Sequence, residues 1–141
     1  MSSVAQATPS TRPAIRALVT AQLATIGAFL VVLLLYLGRM AAADVGPTEM
    51  LTGAYDPKDM VPSGMSGLFY WLYAVVSVLY LVGAFLGPPL ALVAVALVAR
   101  EREALSRTTR VLLLAGAAGI LLMLVVRFTP PLLDMHRWWL D

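Results

Sequence analysis

The longest apolar stretch of this 141-residue chain, residues 68–99, is LFYWLYAVVSVLYLVGAFLGPPLALVAVALVA. As a helix, these 32 residues would extend about 48 Å, whereas the apolar core of a bilayer is about 30 Å thick. Two further apolar stretches, residues 17–37 and 111–126, are 21 and 16 residues long. Together the three stretches predict an all-α integral membrane protein with three transmembrane helices.

Gly87-Pro88-Pro89 interrupts the longest stretch and leaves two interpretations of it. Each proline removes a backbone donor and clashes with the preceding turn, so a bend is expected there. One interpretation is a single long helix that is kinked at Pro88-Pro89. The other is a hairpin, in which residues 68–86 cross the membrane and residues 90–99 return. The returning arm would reach only about 15 Å, too little for a crossing, so we favour the single kinked helix.

The remaining boundaries follow from prolines, glycines and charges. Pro13 suits the first turn of a helix, Gly38 suits its end, and Pro130-Pro131 suits the end of the third helix. A secretory signal is the alternative for the first helix. The apolar part of such a signal has only about 7–15 residues, whereas this stretch has 21, so we favour a transmembrane helix. The predicted order is a flexible cytoplasmic tail (1–13), helix 1 (14–38), an external loop (39–64), an interfacial start plus kinked helix 2 (65–99), a charged cytoplasmic turn (100–110), helix 3 (111–129) and an external interfacial tail (130–141).

Basic residues near the predicted spans favour one orientation. Six arginines flank one side, and three arginines and one lysine flank the other. Because basic residues accumulate on the cytoplasmic side, the N-terminus is predicted in the cytoplasm and the C-terminus outside. Nine arginines against one lysine, with abundant alanine, valine and leucine, are typical of a GC-rich bacterial genome. We therefore expect a multi-pass protein of the bacterial inner membrane.

Composition excludes several classes of site. Hydrophobic residues make up 60% of the chain, charged residues 13%, and the mean hydropathy is +0.85. The chain has no cysteine and one histidine, His136, so thiolate sites and bis-histidine haem ligation within one chain are excluded. No Asp, Glu, Lys or His lies deep within a predicted span, and the dispersed basic residues do not indicate nucleic-acid binding. We predict no enzyme activity, catalytic residue, metal site or cofactor.

Small and polar residues inside the apolar stretches are candidates for helix packing. Small residues four positions apart let two helix backbones approach closely, and polar side chains in lipid seek partners on other helices. Packing within this chain and contact with partner chains are both open for them. The candidates are Gly83, Gly87, Ala115, Gly116, Gly119, Gln22, Thr25 and Ser77.

Interfacial anchors are predicted where amphipathic side chains follow or precede a span. Trp71, Trp138 and Trp139 suit the membrane–water interface. Arg127, at the end of the third stretch, is expected to reach outward to the interface in the same way. Its functional alternative is an ion pair with a partner's carboxylate or a lipid phosphate.

Three functional hypotheses follow. The first is an accessory, structural subunit of a larger bacterial inner-membrane complex, respiratory, photosynthetic or transport, whose partners are the lipid bilayer and other membrane subunits. The second is a homo-oligomeric pore or holin-like protein that lines an opening with Gln22, Thr25 and Ser77. The third is a metal-handling membrane protein, because thioether and imidazole ligands suit Cu(I). The residues that suggest it are Met40, Met50, Met60, Met65, Met135 and His136.

Overall fold

A computed structural model describes residues 11–54 and 68–140, and these residues form helices and no strand. The helices are α1 (Thr11–Ala42), α2 (Pro47–Leu51), α3 (Leu68–Arg100), α4 (Arg107–Arg127) and α5 (Pro130–Leu140). The all-α prediction is confirmed. Three parts of the predicted order lie outside the described residues: residues 1–10 of the tail, residues 55–64 of the external loop, and residues 65–67 at the start of the next segment.

The three long helices α1, α3 and α4 form a bundle in which each packs against the other two. Each contains a segment long and apolar enough to cross a membrane: Arg12–Ala42, Trp71–Arg100 and Arg107–Arg127. Large aliphatic and aromatic side chains remain exposed along all three helices. This surface is suited to lipid, as predicted for a multi-pass membrane protein.

The prolines do not reverse the chain. α3 is one continuous helix of 33 residues, with Pro88 and Pro89 inside it. Both rings are exposed, so neither proline is wedged between packed helices. The hairpin interpretation is therefore wrong, while the kink at Pro88-Pro89 stays a prediction.

α1 continues past Gly38, where the sequence predicted its end, and stops four residues later. The stop is a Schellman motif: Val45 N–H donates to the Met40 carbonyl at 3.0 Å, and Asp44 N–H donates to the Ala41 carbonyl at 3.3 Å. Asp44 takes the left-handed conformation, with φ 56°, which glycine usually supplies there. Val45 and Met40 are both buried in one apolar cluster, the contact that commonly accompanies this motif.

α4 begins at Arg107, earlier than the apolar stretch that predicted it. Ser106 caps the helix, and its Oγ accepts a hydrogen bond from Thr109 N–H at 3.1 Å. The resulting 21 residues extend about 32 Å, close to the thickness of a bilayer core. The 16-residue apolar stretch alone would extend only about 24 Å, and the arginines at both ends of the helix supply the remaining length.

α4 ends at Arg127, three residues before Pro130, and Pro130-Pro131 begins α5, since proline is favoured in the first turn of a helix. The carbonyl of Thr129 accepts from Leu132 and Leu133 N–H at 3.0 and 3.1 Å, which closes the first turn of α5. α5 packs against α1, α2 and α4. We call α2 and α5 together the cap, and the end of the bundle that they cover the cap end.

Candidate functional site

The cap end contains a buried arginine. Arg127, the last residue of α4, is only 2% exposed. Its Nη1 donates to the Tyr80 carbonyl at 2.9 Å, and its Nη2 donates to His136 Nδ1 at 3.1 Å. The guanidinium carbon lies 3.9 Å from the centroid of the Tyr80 ring, a cation–π distance. One side chain thus joins α3, α4 and α5.

The bond from Arg127 determines the protonation of His136. Arginine can only donate, so His136 Nδ1 must accept, and the ring proton of the neutral imidazole is assigned to Nε2. The Tyr80 hydroxyl lies 3.3 Å from the same Nδ1 and therefore donates to it as well. Burial lowers the pKa of His136, and the positive charge of Arg127 lowers it further. The arrangement therefore favours a neutral histidine.

Aromatic rings surround this polar cluster. The Tyr80 ring stacks on Phe29 of α1 at 6.5 Å and meets Trp139 of α5 edge-on at 6.3 Å between centroids. Tyr73 lies 4.5 Å from the Trp139 ring, and its hydroxyl donates to the Trp139 carbonyl at 3.0 Å. The rings exclude water from the guanidinium and fasten α5 to α3.

The positive charge of Arg127 has no anionic partner among residues 11–54 and 68–140. The ion pair found there is Arg137–Asp134, 3.5 Å apart within α5. A buried cation is costly unless hydrogen bonds and nearby dipoles replace its hydration. Here a carbonyl oxygen, an imidazole nitrogen and a ring face do so. This arrangement holds α5 in place.

The candidate glycines lie inside the bundle. A Cβ added at Gly83 would lie 2.7 Å from Thr25 Cγ2, and one added at Gly116 would lie 2.8 Å from Gln22 Cδ. At Gly87 the neighbour is Ile120 Cγ2 at 2.9 Å, and at Gly119 it is Ile26 Cδ1 at 2.8 Å. These glycines therefore pack the helices of this chain together and are already covered.

The polar candidates face the same interior. Gln22 is 1% exposed, and its Nε2 donates to the Leu113 carbonyl at 3.4 Å. Thr25 is buried against Gly83. Ser77 is half-buried, and its Oγ has no hydrogen-bond partner in the described part of the chain. Ala115 is exposed, so it does not share the packed surface of Gly116.

Two of the predicted anchors need correction. Arg127 does not reach outward, because its hydrogen bonds hold it under α5. Trp139 is 4% exposed and packs in the core, since its ring fills the space between α5 and α3. Trp71 is 68% exposed, a position compatible with an interfacial anchor. The side chain of Trp138 lies outside the described part of the structure.

The methionines of the metal hypothesis divide between core and undescribed segments. Met40, Met50 and Met135 are buried in one apolar cluster at the cap end, where thioethers fill irregular space. Met60 and Met65 lie outside the described residues. Within the described ranges no three His, Asp or Glu side chains are grouped as metal ligands. His136 Nδ1 is already occupied by Arg127, whose charge opposes a nearby cation.

Sequence reasoning missed the roles of Tyr80, Tyr73 and His136. The available signal was weak: a single histidine nine residues after an arginine at the end of a span. Tyr80 gave no signal, because one tyrosine in an apolar stretch is ordinary. No protein-family model, curated protein or solved structure matches this chain.

Proposed function

We propose that this chain is an accessory, structural subunit of a larger complex in the bacterial inner membrane, respiratory, photosynthetic or transport. Its N-terminus lies in the cytoplasm and its cap outside. The observation that carries the proposal is the cap itself. Hydrogen bonds from Arg127 and Tyr73 fix the short helix α5 onto the end of an apolar bundle, and α2 packs against α5.

The surfaces left open also support a role as a subunit. Side chains of this chain already occupy the space beside the glycines that allow close approach of two helices, so neighbouring subunits must use other surfaces. α3 offers a broad one, with bulky exposed side chains such as Trp71, Phe85 and Leu92. Such a surface can face lipid or a partner helix without any rearrangement of the bundle.

The other two hypotheses have less support. Gln22 and Thr25, which a pore would use, are buried against Gly116 and Gly83 and do not face a neighbouring copy. Among the described methionines that a copper site would use, Met40, Met50 and Met135 are buried in an apolar cluster with aromatic rings. Neither arrangement leaves these side chains open to water or to an incoming metal ion.

Crosslinking in living cells tests the proposal. A photoreactive amino acid is placed at Arg137 on the exposed side of α5 and, separately, at Phe85 on the exposed side of α3. The matched control position is Met135, which is fully buried on the same α5 helix. We expect discrete adducts with other membrane proteins at the two exposed positions and none at the control. Adducts only with a second copy of this chain would contradict the proposal.

A further inference from the structure

We propose that the end of the bundle opposite the cap binds the headgroups of anionic phospholipids. The residues concerned belong to the start of α1, the α3–α4 turn and the start of α4, and we call this region the basic end. Its arginines are Arg12, Arg16, Arg100, Arg102, Arg107 and Arg110.

The fold brings these arginines together from three helices. Ile15 and Leu18 of α1 pack against the apolar cluster that contains Leu105 and Leu113. Leu97 of α3 packs against the same cluster. Arg16 follows Ile15 directly, and Arg100 and Arg107 lie at the adjoining ends of α3 and α4. Segments that are far apart in the sequence therefore form one basic surface.

The charges of this surface are not neutralised by the chain. Six arginines stand against two acids, Glu101 and Glu103, so four positive charges are in excess. In the described part of the chain neither glutamate pairs with any of these arginines. The first turn of α4 contains no acid, so the positive end of its helix dipole adds to the field.

The cap end lacks this excess of positive charge. Its described residues contain three basic side chains, Arg39, Arg127 and Arg137, and three acidic ones, Asp44, Glu49 and Asp134. The described residues thus carry four positive charges in excess at the basic end and no net charge at the cap end. Attraction to anionic lipid is therefore expected at the basic end alone.

The arginines also lie at the depth of lipid phosphates. Arg16, Arg100 and Arg107 are each 20 residues from Tyr36, Tyr80 and Arg127, respectively, along their own helices. Twenty residues of helix extend about 30 Å, the thickness of a bilayer core. Arg127 contacts Tyr80, and Tyr36 and Tyr80 belong to the same apolar cluster, so these three residues lie at one end of the bundle. The opposite ends of the three 20-residue segments, at Arg16, Arg100 and Arg107, therefore meet one membrane surface.

The exposed guanidinium groups suit a phosphodiester. Arg12, Arg16, Arg100, Arg102 and Arg107 are all exposed, so their planar forks are free to meet phosphate oxygens in pairs. Phosphatidylcholine offers a phosphate next to a fixed positive charge. Phosphatidylglycerol offers the phosphate with no such cation, so it is the preferred ligand.

Lipid retention by the full-length protein tests the inference. The protein is purified in mild detergent with equal amounts of phosphatidylglycerol and phosphatidylcholine, and the bound lipids are counted by native mass spectrometry. We expect phosphatidylglycerol to be enriched about fivefold, the ratio given by about 1 kcal/mol of preference. The R16Q/R100Q/R102Q/R107Q variant should lose the enrichment. The matched control R39Q/R137Q, which removes exposed arginines at the cap end, should keep it.

Two further measurements keep the result interpretable if the quadruple variant R16Q/R100Q/R102Q/R107Q folds poorly. Added salt should reduce the enrichment in the unaltered protein, because screening weakens exposed ion pairs. The charge-preserving R100K/R107K variant should keep most of the enrichment. Equal retention of both lipids by the unaltered protein, or an equal loss in the cap-end control, would overturn the inference.

Discussion

Arg127 binds Tyr80 in two ways at once: its guanidinium carbon lies 3.9 Å from the centroid of the ring, and its Nη1 donates to the backbone carbonyl at 2.9 Å. A second hydrogen bond from Arg127, to His136 Nδ1, extends the contact to α5. The end of the bundle is thereby fixed by one cation that no carboxylate of the described chain neutralises.

Substitution of Arg127 separates its charge from its shape. Arg127→Lys keeps a buried charge but loses the planar fork, so we expect a loss of about 2 kcal/mol in the free energy of unfolding. Arg127→Met removes the charge together with its desolvation cost, so it should stay within about 1 kcal/mol of the unaltered protein. Chemical unfolding in detergent micelles measures both. A methionine variant less stable than the lysine variant would show that the charge itself stabilises the fold.

The attachment of α5 should weaken in acid. The pKa of His136 is lowered in the folded protein from its ordinary value of 6.5, so the unfolded chain binds more protons between the two values. The stability from neutral His136 is present above pH 6.5, and it declines as the pH falls toward the folded pKa. Arg127 and Tyr80 face the ring, and Asp134 and Arg137 lie nearby on α5.

Hydrogen exchange of the α5 amides measures this effect. We expect exchange in α5 to accelerate at acidic pH relative to α4, after correction for the intrinsic pH dependence of exchange. His136→Asn offers an oxygen acceptor that does not titrate in this range, so this variant should show a flat profile. A profile in the unaltered protein as flat as that of the variant would contradict the role of His136.

The glycine contacts predict a graded response to added methyl groups. Gly83→Ala and Gly116→Ala place a Cβ within 2.7 and 2.8 Å of Thr25 Cγ2 and Gln22 Cδ, so each should cost about 1–3 kcal/mol. Gly27→Ala is the control, because nothing lies within 4 Å of its added Cβ. This variant should be neutral or gain up to about 1 kcal/mol from helix propensity.

A double substitution tests whether the contact itself is responsible. Gln22→Ala removes the side chain that a Cβ at Gly116 would meet, so the pair Gln22→Ala with Gly116→Ala should be less destabilised than the sum of the two single changes. Thermal unfolding in one detergent gives all four values. If the effects of the two single changes were strictly additive, contact with Gln22 would not be the cause of the destabilisation by Gly116→Ala.

The helices could be predicted from the sequence because apolar length is a strong signal, and three long charge-free stretches became three long helices. Their ends could not be predicted as well. Gly38 resembled a stop, but the stop is made by Asp44 in a glycine-like conformation, which depends on a contact between Val45 and Met40. The charged start of α4 likewise joined the helix because Ser106 caps it.

The candidate site was less predictable for a physical reason. An arginine at the end of a span usually reaches toward water. Arg127 is held inside because α5 folds back over it and His136 accepts one of its hydrogen bonds. That return depends on contacts among Tyr73, Tyr80 and Trp139, residues that are distant in sequence and ordinary in an apolar chain. Gly83, Gly87, Gly116 and Gly119 lie at contacts between helices of this chain, although the sequence could not distinguish contact within the chain from contact between chains.

Cysteine labelling in intact cells tests the central claim, that three crossings place the cap and the basic end on opposite sides of the membrane. The chain has no cysteine, so Leu133→Cys in α5 and Glu103→Cys in the α3–α4 turn each provide a single thiol. With a membrane-impermeant maleimide, we predict that the thiol of the Leu133→Cys variant is labelled from outside, and that of the Glu103→Cys variant only after the membrane is permeabilised. Labelling of both thiols from the same side would contradict the account.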